Sequence, residues 1–371
     1  MRRRFSLIAC LACLASVRPL LAQVADTISA PLLQNQYDLS ADGRAFLLKE
    51  AAQASFFMLG ELHGENEIPA LIREIWPPMW QAGYRHVAAE ISPWAAARLE
   101  RPSRSASEPI RALWSQEEAT FVASFNRGRA PVLWGCDMEE AQPHLPIRDL
   151  AAVNPGNRAM QAAADAARAG YTRRLAPELL ERFRGATGVK DLLVGGLSLR
   201  DSIVRTLEIE VDRLDPQTRL AASLRREALM KELFHRQWQK SGRPRVLLRF
   251  GRNHLHRGYD RRGVPTLGNF VAELAVAHGV QGFNLAAFAA GGKIFLGGPL
   301  LDADERKDDP AFEFLASVAR YPATVFDLRP LRPLLHRIPE GKRSPVETSL
   351  VYWADSYDAV LCYREVTPLP H

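Results

Sequence analysis

The sequence predicts an α/β fold: a mostly parallel central sheet flanked by helices, with a helical insertion. Three observations lead there. Short apolar runs at Phe56–Leu59, His86–Ile91, Pro131–Cys136 and Arg245–Phe250 alternate with segments of helical spacing. The runs are continuous rather than alternating, as in parallel strands covered on both faces. From about residue 140 to 243 Ala, Arg, Glu and Leu dominate, with long helical periodicity over Leu199 to Gln239. That stretch reads as an insertion whose loops would cover the sheet edge as a lid.

The N-terminus stands apart from the fold. Arg2-Arg3-Arg4 precede an apolar stretch of 13 residues, Phe5 to Val17, and Leu20-Leu21-Ala22 lead to an expected cleavage before Gln23. This is the pattern of a secretory signal peptide, too short to span a membrane. Leu7-Ile8-Ala9-Cys10 resembles a lipobox, but soluble export to the periplasm or medium is the first reading. The expected mature chain, 23–371, is one α/β domain carrying the insertion. Losing Arg2, Arg3, Arg4 and Arg18 takes the formal charge from +6 to +2, which gives no electrostatic case for nucleic acid. Cys136 and Cys362 remain, and either a disulfide or two buried thiols fits their place in apolar strands.

Along the chain, Asp38 to Ala54 reads as a polar start with Ser40 or Asp42 as cap, then a short helix. Phe56–Leu59 is the opening strand. Ile68, Leu71, Ile72 and Ile75 then mark a helix that Pro77 and Pro78 should break or restart. Gly83 leads into the second strand, which Glu90 follows, and Arg101 to Pro109 reads as a loop. Gly135 and Asp137 close the third strand. Arg245–Phe250 runs into Gly251-Arg252-Asn253-His254-Leu255-His256. A helix over Pro265–His278, strands near Gly282–Phe288 and Lys293–Leu296, and a helix over Ala311–Arg320 follow. A strand at Ala323–Leu328, a polar loop over Arg337–Glu347 and a last strand at Tyr357–Val366 complete the chain.

Four strands thus end in chemistry: Glu61 with His63, Glu90, Asp137 and His254. In a parallel sheet the carboxyl ends point one way, so these residues are expected around one crevice, where ligands of open α/β sheets bind. His63 beside Glu61 suits a general base, since histidine titrates near working pH and a carboxylate supports proton acceptance. Glu90 would orient His63 or share in activating water, and His254 would assist an oxyanion or leaving group. Glu67, Arg73, Asp137 and Asn253 are the expected substrate contacts. A strand-end acid can equally cap a helix or anchor a loop. A divalent metal competes for Glu61, His63, Glu90 and His254, although no HExxH is present. No G-x-S-x-G elbow and no phosphate-binding glycine motif occurs either. Cys136 reads as a core residue rather than a nucleophile.

These segments resemble the erythromycin-esterase/ChaN-like superfamily, which has the haem-binding ChaN lipoproteins and the TraB/Tiki proteins as relatives. Leu59-Gly60-Glu61-Leu62-His63-Gly64 with Glu67 resembles its first-strand signature, and Glu90 the acid ending its second strand. Gly135-Cys136-Asp137 resembles the Gly-x-Asp of the third. Arg226-Glu227-Ala228-Leu229-Met230 is similar to the helix ahead of the strand carrying the second histidine, here His254. Tyr357 to Pro368 resembles the C-terminal strand of the esterase branch. The resemblance implies metal-independent hydrolysis by histidine- and glutamate-activated water on an ester, lactone or amide. Its ChaN branch implies haem or metal binding instead, and its Tiki branch a metal-dependent peptidase. A single residue, Leu62, separates Glu61 from His63, as in the ChaN branch, so the substrate does not carry over. The expected partner is a small-molecule substrate, with no cofactor required, no membrane span and an open oligomeric state.

Overall fold

In the computed structural model residues 26–100, 114–126, 131–139 and 143–369 are described. The chain forms two compact units, one of residues up to Met79 together with those from Val280 on, the other Trp80–Gly279. In chain order, α1 (Asp26–Gln34), β1 (Gln36–Asp38), α2 (Arg44–Gln53), β2 (Phe56–Glu61) and α3 (Glu67–Gln81) come first. Next are β3 (Tyr84–Ala89), α4 (Pro93–Glu100), α5 (Gln116–Ser124) and β4 (Leu133–Gly135). The helices α6 (His144–Ala152), α7 (Arg158–Gly170) and α8 (Ala176–Gly185) lead to a small hairpin, β5 (Leu193–Val194) and β6 (Leu197–Ser198). Two long helices follow it, α9 (Leu199–Asp212) and α10 (Arg219–Lys240). Then come β7 (Arg245–Gly251), α11 (Leu267–Ala277), β8 (Gly282–Ala289), β9 (Lys293–Phe295) and β10 (Leu300–Asp302). The chain closes with α12 (Pro310–Val318), β11 (Ala323–Asp327), α13 (Arg332–Leu335), α14 (Pro345–Ser356) and β12 (Ala359–Tyr363). The α/β class expected from the apolar runs is the class observed.

In the first unit the strand order is β1-β11-β12-β8-β2. β12, β8 and β2 run parallel, whereas β11 pairs antiparallel with both β1 and β12. Leu59 stands opposite Leu285 and Gly60 opposite Ala286. All six residues of β2 are buried, which explains its unbroken apolar run and places Glu61 at its carboxyl end.

In the second unit β7, β3 and β4 form a parallel set with β3 in the middle. Ala89 stands opposite both Gly135 and Arg249, so the carboxyl ends of the three strands are level. Gly135 is required there: a Cβ would lie 2.2 Å from the carbonyl oxygen of Ser92. The chain stays paired beyond the strand, with Cys136 N donating to Ala89 O at 3.0 Å and Asp137 N to Ile91 O at 3.0 Å.

Several expectations are corrected. Pro77 and Pro78 do not break α3, which continues to Gln81. The amides that the two prolines lack would have bonded the carbonyls of Arg73 and Glu74, which lie on the wetter side of the helix, while Trp76 and Met79 are buried opposite. Neither Ser40 nor Asp42 caps α2, which has no side-chain cap; Asp38 instead caps the helical turn Leu39–Gly43 before it, accepting from Ser40 N. The stretch read as a polar loop ends in α14, whose N-terminus is a Ser344/Glu347 capping box with Pro345 in the first turn. α1, β1, α4, α5 and β10 were not anticipated, being short or weakly periodic. The expected signal peptide and the expected Arg101–Pro109 loop lie outside the described residues. Among the described residues no helix is long and apolar enough to cross a membrane.

Candidate functional site

In the first unit the strand-to-helix turn after β2 brings Glu61 and His63 together. The Glu61 side chain is 2% exposed and its Oε1 lies 3.1 Å from His63 Nδ1, while the histidine side chain is 28% exposed. A proton on Nδ1 directed at Glu61 leaves the ring's lone pair on Nε2. Gly64 makes the turn possible. Its φ is +87°, and a Cβ would lie 2.6 Å from Phe295 O. The Gly64 carbonyl accepts from Phe295 N at 2.9 Å and from Leu369 N at 3.0 Å, so β9 and the C-terminal segment brace the histidine. Glu67 adds a second brace: its carboxylate accepts from Thr367 N at 3.0 Å and Thr367 Oγ1 at 2.8 Å. Arg73 lies part-exposed on α3.

The second unit assembles a buried ionic cluster from the ends of β3, β4 and β7. Arg226, on α10, donates from Nε to Asp137 Oδ1 at 3.0 Å and through its guanidinium to Asp137 Oδ2. The same guanidinium reaches Glu90 Oε1 at 2.8 Å, and Glu90 Oε2 accepts from Gly251 N at 2.6 Å. His254 lies in the turn after β7, with Nε2 3.2 Å from Glu90 Oε1 and Nδ1 2.5 Å from Glu227 Oε1. Glu227 Oε2 accepts from Leu267 N at 2.7 Å, tying the first turn of α11 to the histidine. Gly268 permits this packing, since a Cβ there would lie 2.2 Å from the Leu255 carbonyl. Asn253, beside His254, is exposed.

Burial of the His254 ring opposes its charge, but Glu90 and Glu227 outweigh that and push its pKa up to about 9. It is therefore an imidazolium at neutral pH, a proton donor rather than a base. Both of its nitrogens already meet carboxylates in the resting arrangement. His256, two residues on, behaves oppositely: burial lowers it to about 4. His86 is likewise lowered to about 4 by burial, with its Nδ1 2.9 Å from the Pro131 carbonyl.

Arg226 and Glu227 were singled out as a motif but not as site residues. On a charged helix, α10, they read as solvent-facing, yet Glu227 is 2% exposed. The cluster does not fit a divalent cation: a guanidinium already occupies the space between Glu90 and Asp137, and both His254 nitrogens are engaged. Among the described residues no group of three or more His, Cys, Asp or Glu side chains is arranged to hold a metal ion. Cys136 and Cys362 are buried free thiols. Burial raises both, Cys362 to about 12 and Cys136 further, which removes the thiolate that nucleophilic attack needs.

No family model matches the chain, and no curated protein matches it in sequence. Its fold is nevertheless shared with solved structures over nearly their whole length. A Bacillus cereus protein aligns with a TM-score of 0.58 at 14% identity, covering 93% of this chain and 99% of its own. A succinoglycan biosynthesis protein aligns at 0.57 and 13%, covering 93% and 98%. A mutant of the erythromycin esterase EreC, in its open conformation, aligns at 0.55 and 13%, covering 90% and 96%. The class these define is an α/β fold used by at least one esterase. At such identities the likeness is one of fold alone.

Proposed function

We propose that this protein is an exported hydrolase that uses a histidine–carboxylate pair to activate water against an ester, lactone or amide. The carrying observation is the Glu61–His63 contact: a buried carboxylate 3.1 Å from Nδ1 of a part-exposed ring. His63 takes the proton of the attacking water on Nε2, and Glu61 stabilises the imidazolium that results. To His254 the proposal gives the role of proton donor. When its Nε2 proton is delivered, Glu90 keeps the Arg226 guanidinium and the Gly251 amide, so no buried carboxylate is stranded. The fold shared with an erythromycin esterase supports the reading. The basic and apolar N-terminal pattern supports export.

The test is a screen of aryl esters, lactones and peptides, with and without a chelator. Hydrolysis of an ester or lactone that survives the chelator is the expected result. Chelator-sensitive peptide cleavage would favour a metallopeptidase. A Soret band on adding haem, with no hydrolysis of any substrate, would favour a haem carrier.

A further inference from the structure

Inside the second unit lies a cavity of about 420 Å³ that the proposed chemistry does not use. It is bounded by the first residues of α4, the loop after β4, and the helices α9 and α10. Trp94, Met138, Ile203, Leu229 and Leu233 make its walls largely apolar. Asp137 is part of the lining and also the partner of Arg226, so the cavity adjoins the ionic cluster of Glu90 and His254. Its inner acids, Asp137 and Glu139, are 2% and 6% exposed, and the Ser92 hydroxyl donates to Glu139. On the solvent side Arg205 and Glu232 form a two-point ion pair, with Nη1–Oε1 at 3.1 Å and Nη2–Oε2 at 2.6 Å.

We infer that this cavity binds the uncharged, apolar portion of a small-molecule ligand. The apolar walls supply the burial that drives binding, and polar side chains of the lining such as Ser92, Ser198, Ser202 and Thr206 can fix orientation. The charged side chains of the lining, Asp137, Glu139, Asp201 and Glu232 against Arg205 and Arg236, leave an excess of negative charge, which disfavours an anion. An apolar cavity of about 150 Å³ accepts a benzene, so this one holds up to roughly 17 non-hydrogen atoms. That suits a group of two or three aromatic rings or a medium-length alkyl chain. The inference rests on the proposed hydrolase only in identifying this portion as part of the substrate. Binding can therefore be tested whether or not turnover is found.

The probe is N-phenyl-1-naphthylamine, neutral and of about that size, compared with its sulfonated counterpart 1-anilinonaphthalene-8-sulfonate. The expected result is saturable fluorescence enhancement by the neutral probe, with the sulfonate binding at least ~10-fold more weakly. Ile203→Trp and Leu229→Trp fill the cavity and should each weaken the neutral probe at least ~10-fold. Should these variants fold poorly, methyl NMR of the unsubstituted protein decides. Probe-induced shifts confined to Met138, Ile203, Leu229 and Leu233 support the site. No binding, equal binding of both probes, undiminished binding by the folded filled variants, or shifts at the exposed Leu300 and Leu301 instead would each overturn it.

Discussion

Glu227 holds Nδ1 of His254 at 2.5 Å with one carboxylate oxygen and the amide of Leu267 at 2.7 Å with the other. A helix outside the sheet thus sets both the orientation and the charge of a residue in the turn after β7. Glu227→Gln keeps a side chain of the same shape but removes the charge. The His254 pKa should then fall from about 9 toward its ordinary value of about 6.5, as read by NMR titration of the imidazole. An unchanged titration would mean that Glu90 alone holds the proton.

Arg226 bridges Glu90 and Asp137, each nearly inaccessible to water. Arg226→Met leaves two buried acids facing each other and should cost about 3–5 kcal/mol in urea denaturation. Adding Asp137→Asn to the same chain should recover part of that loss. If the single variant costs under about 1 kcal/mol, the cluster is more hydrated than its geometry implies.

Stability should peak near pH 6.5 as far as the histidines govern it. His254 is raised to about 9 in the fold, so its contribution is complete below the unfolded value of about 6.5 and is lost as pH climbs to 9. His86 and His256 are lowered to about 4 by burial. As pH falls from 6.5 toward 4 the unfolded chain binds protons that these folded side chains refuse, and stability declines. Unfolding temperature measured across pH 4–9 checks both limbs. His254→Gln should flatten the alkaline one only.

Gly268→Ala tests the packing beneath the cluster. The added methyl would meet the Leu255 carbonyl at 2.2 Å, too close without backbone movement. A loss of about 1–3 kcal/mol is expected, together with a lowered His254 pKa as Leu267 and Glu227 shift. Stability lost with an unmoved histidine would show that α11 does not position the ring.

The strand ends were legible because parallel strands buried on both faces leave unbroken apolar runs, and polar residues just beyond them stand out. Glu61, His63, Glu90, Asp137 and His254 were all found this way. The structure brings Glu90, Asp137 and His254 into one cluster within the second unit and pairs Glu61 with His63 in the first. Arg226 and Glu227 were hidden because Arg225-Arg226-Glu227 looks like an ordinary solvated helix surface. Only the packing of α10 against β4 and α11 tells which charges turn inward. The helix over Pro345–Ser356 was missed although Ser344-Pro345-Val346-Glu347 carries its start signal, because polar residues before it suggested a loop. Pro77 and Pro78 misled for a related reason: a local breaker yields where tertiary burial of Trp76 and Met79 holds the helix.

The central claim is that Glu61 and His63 activate water. It is tested most directly by the kcat/KM of the best substrate from the ester and lactone screen, compared among the unsubstituted protein, His63→Ala and Glu61→Gln. The account predicts a loss of at least ~100-fold for His63→Ala and a smaller one for Glu61→Gln, both folded as judged by circular dichroism. Turnover by folded His63→Ala equal to that of the unsubstituted protein would contradict it.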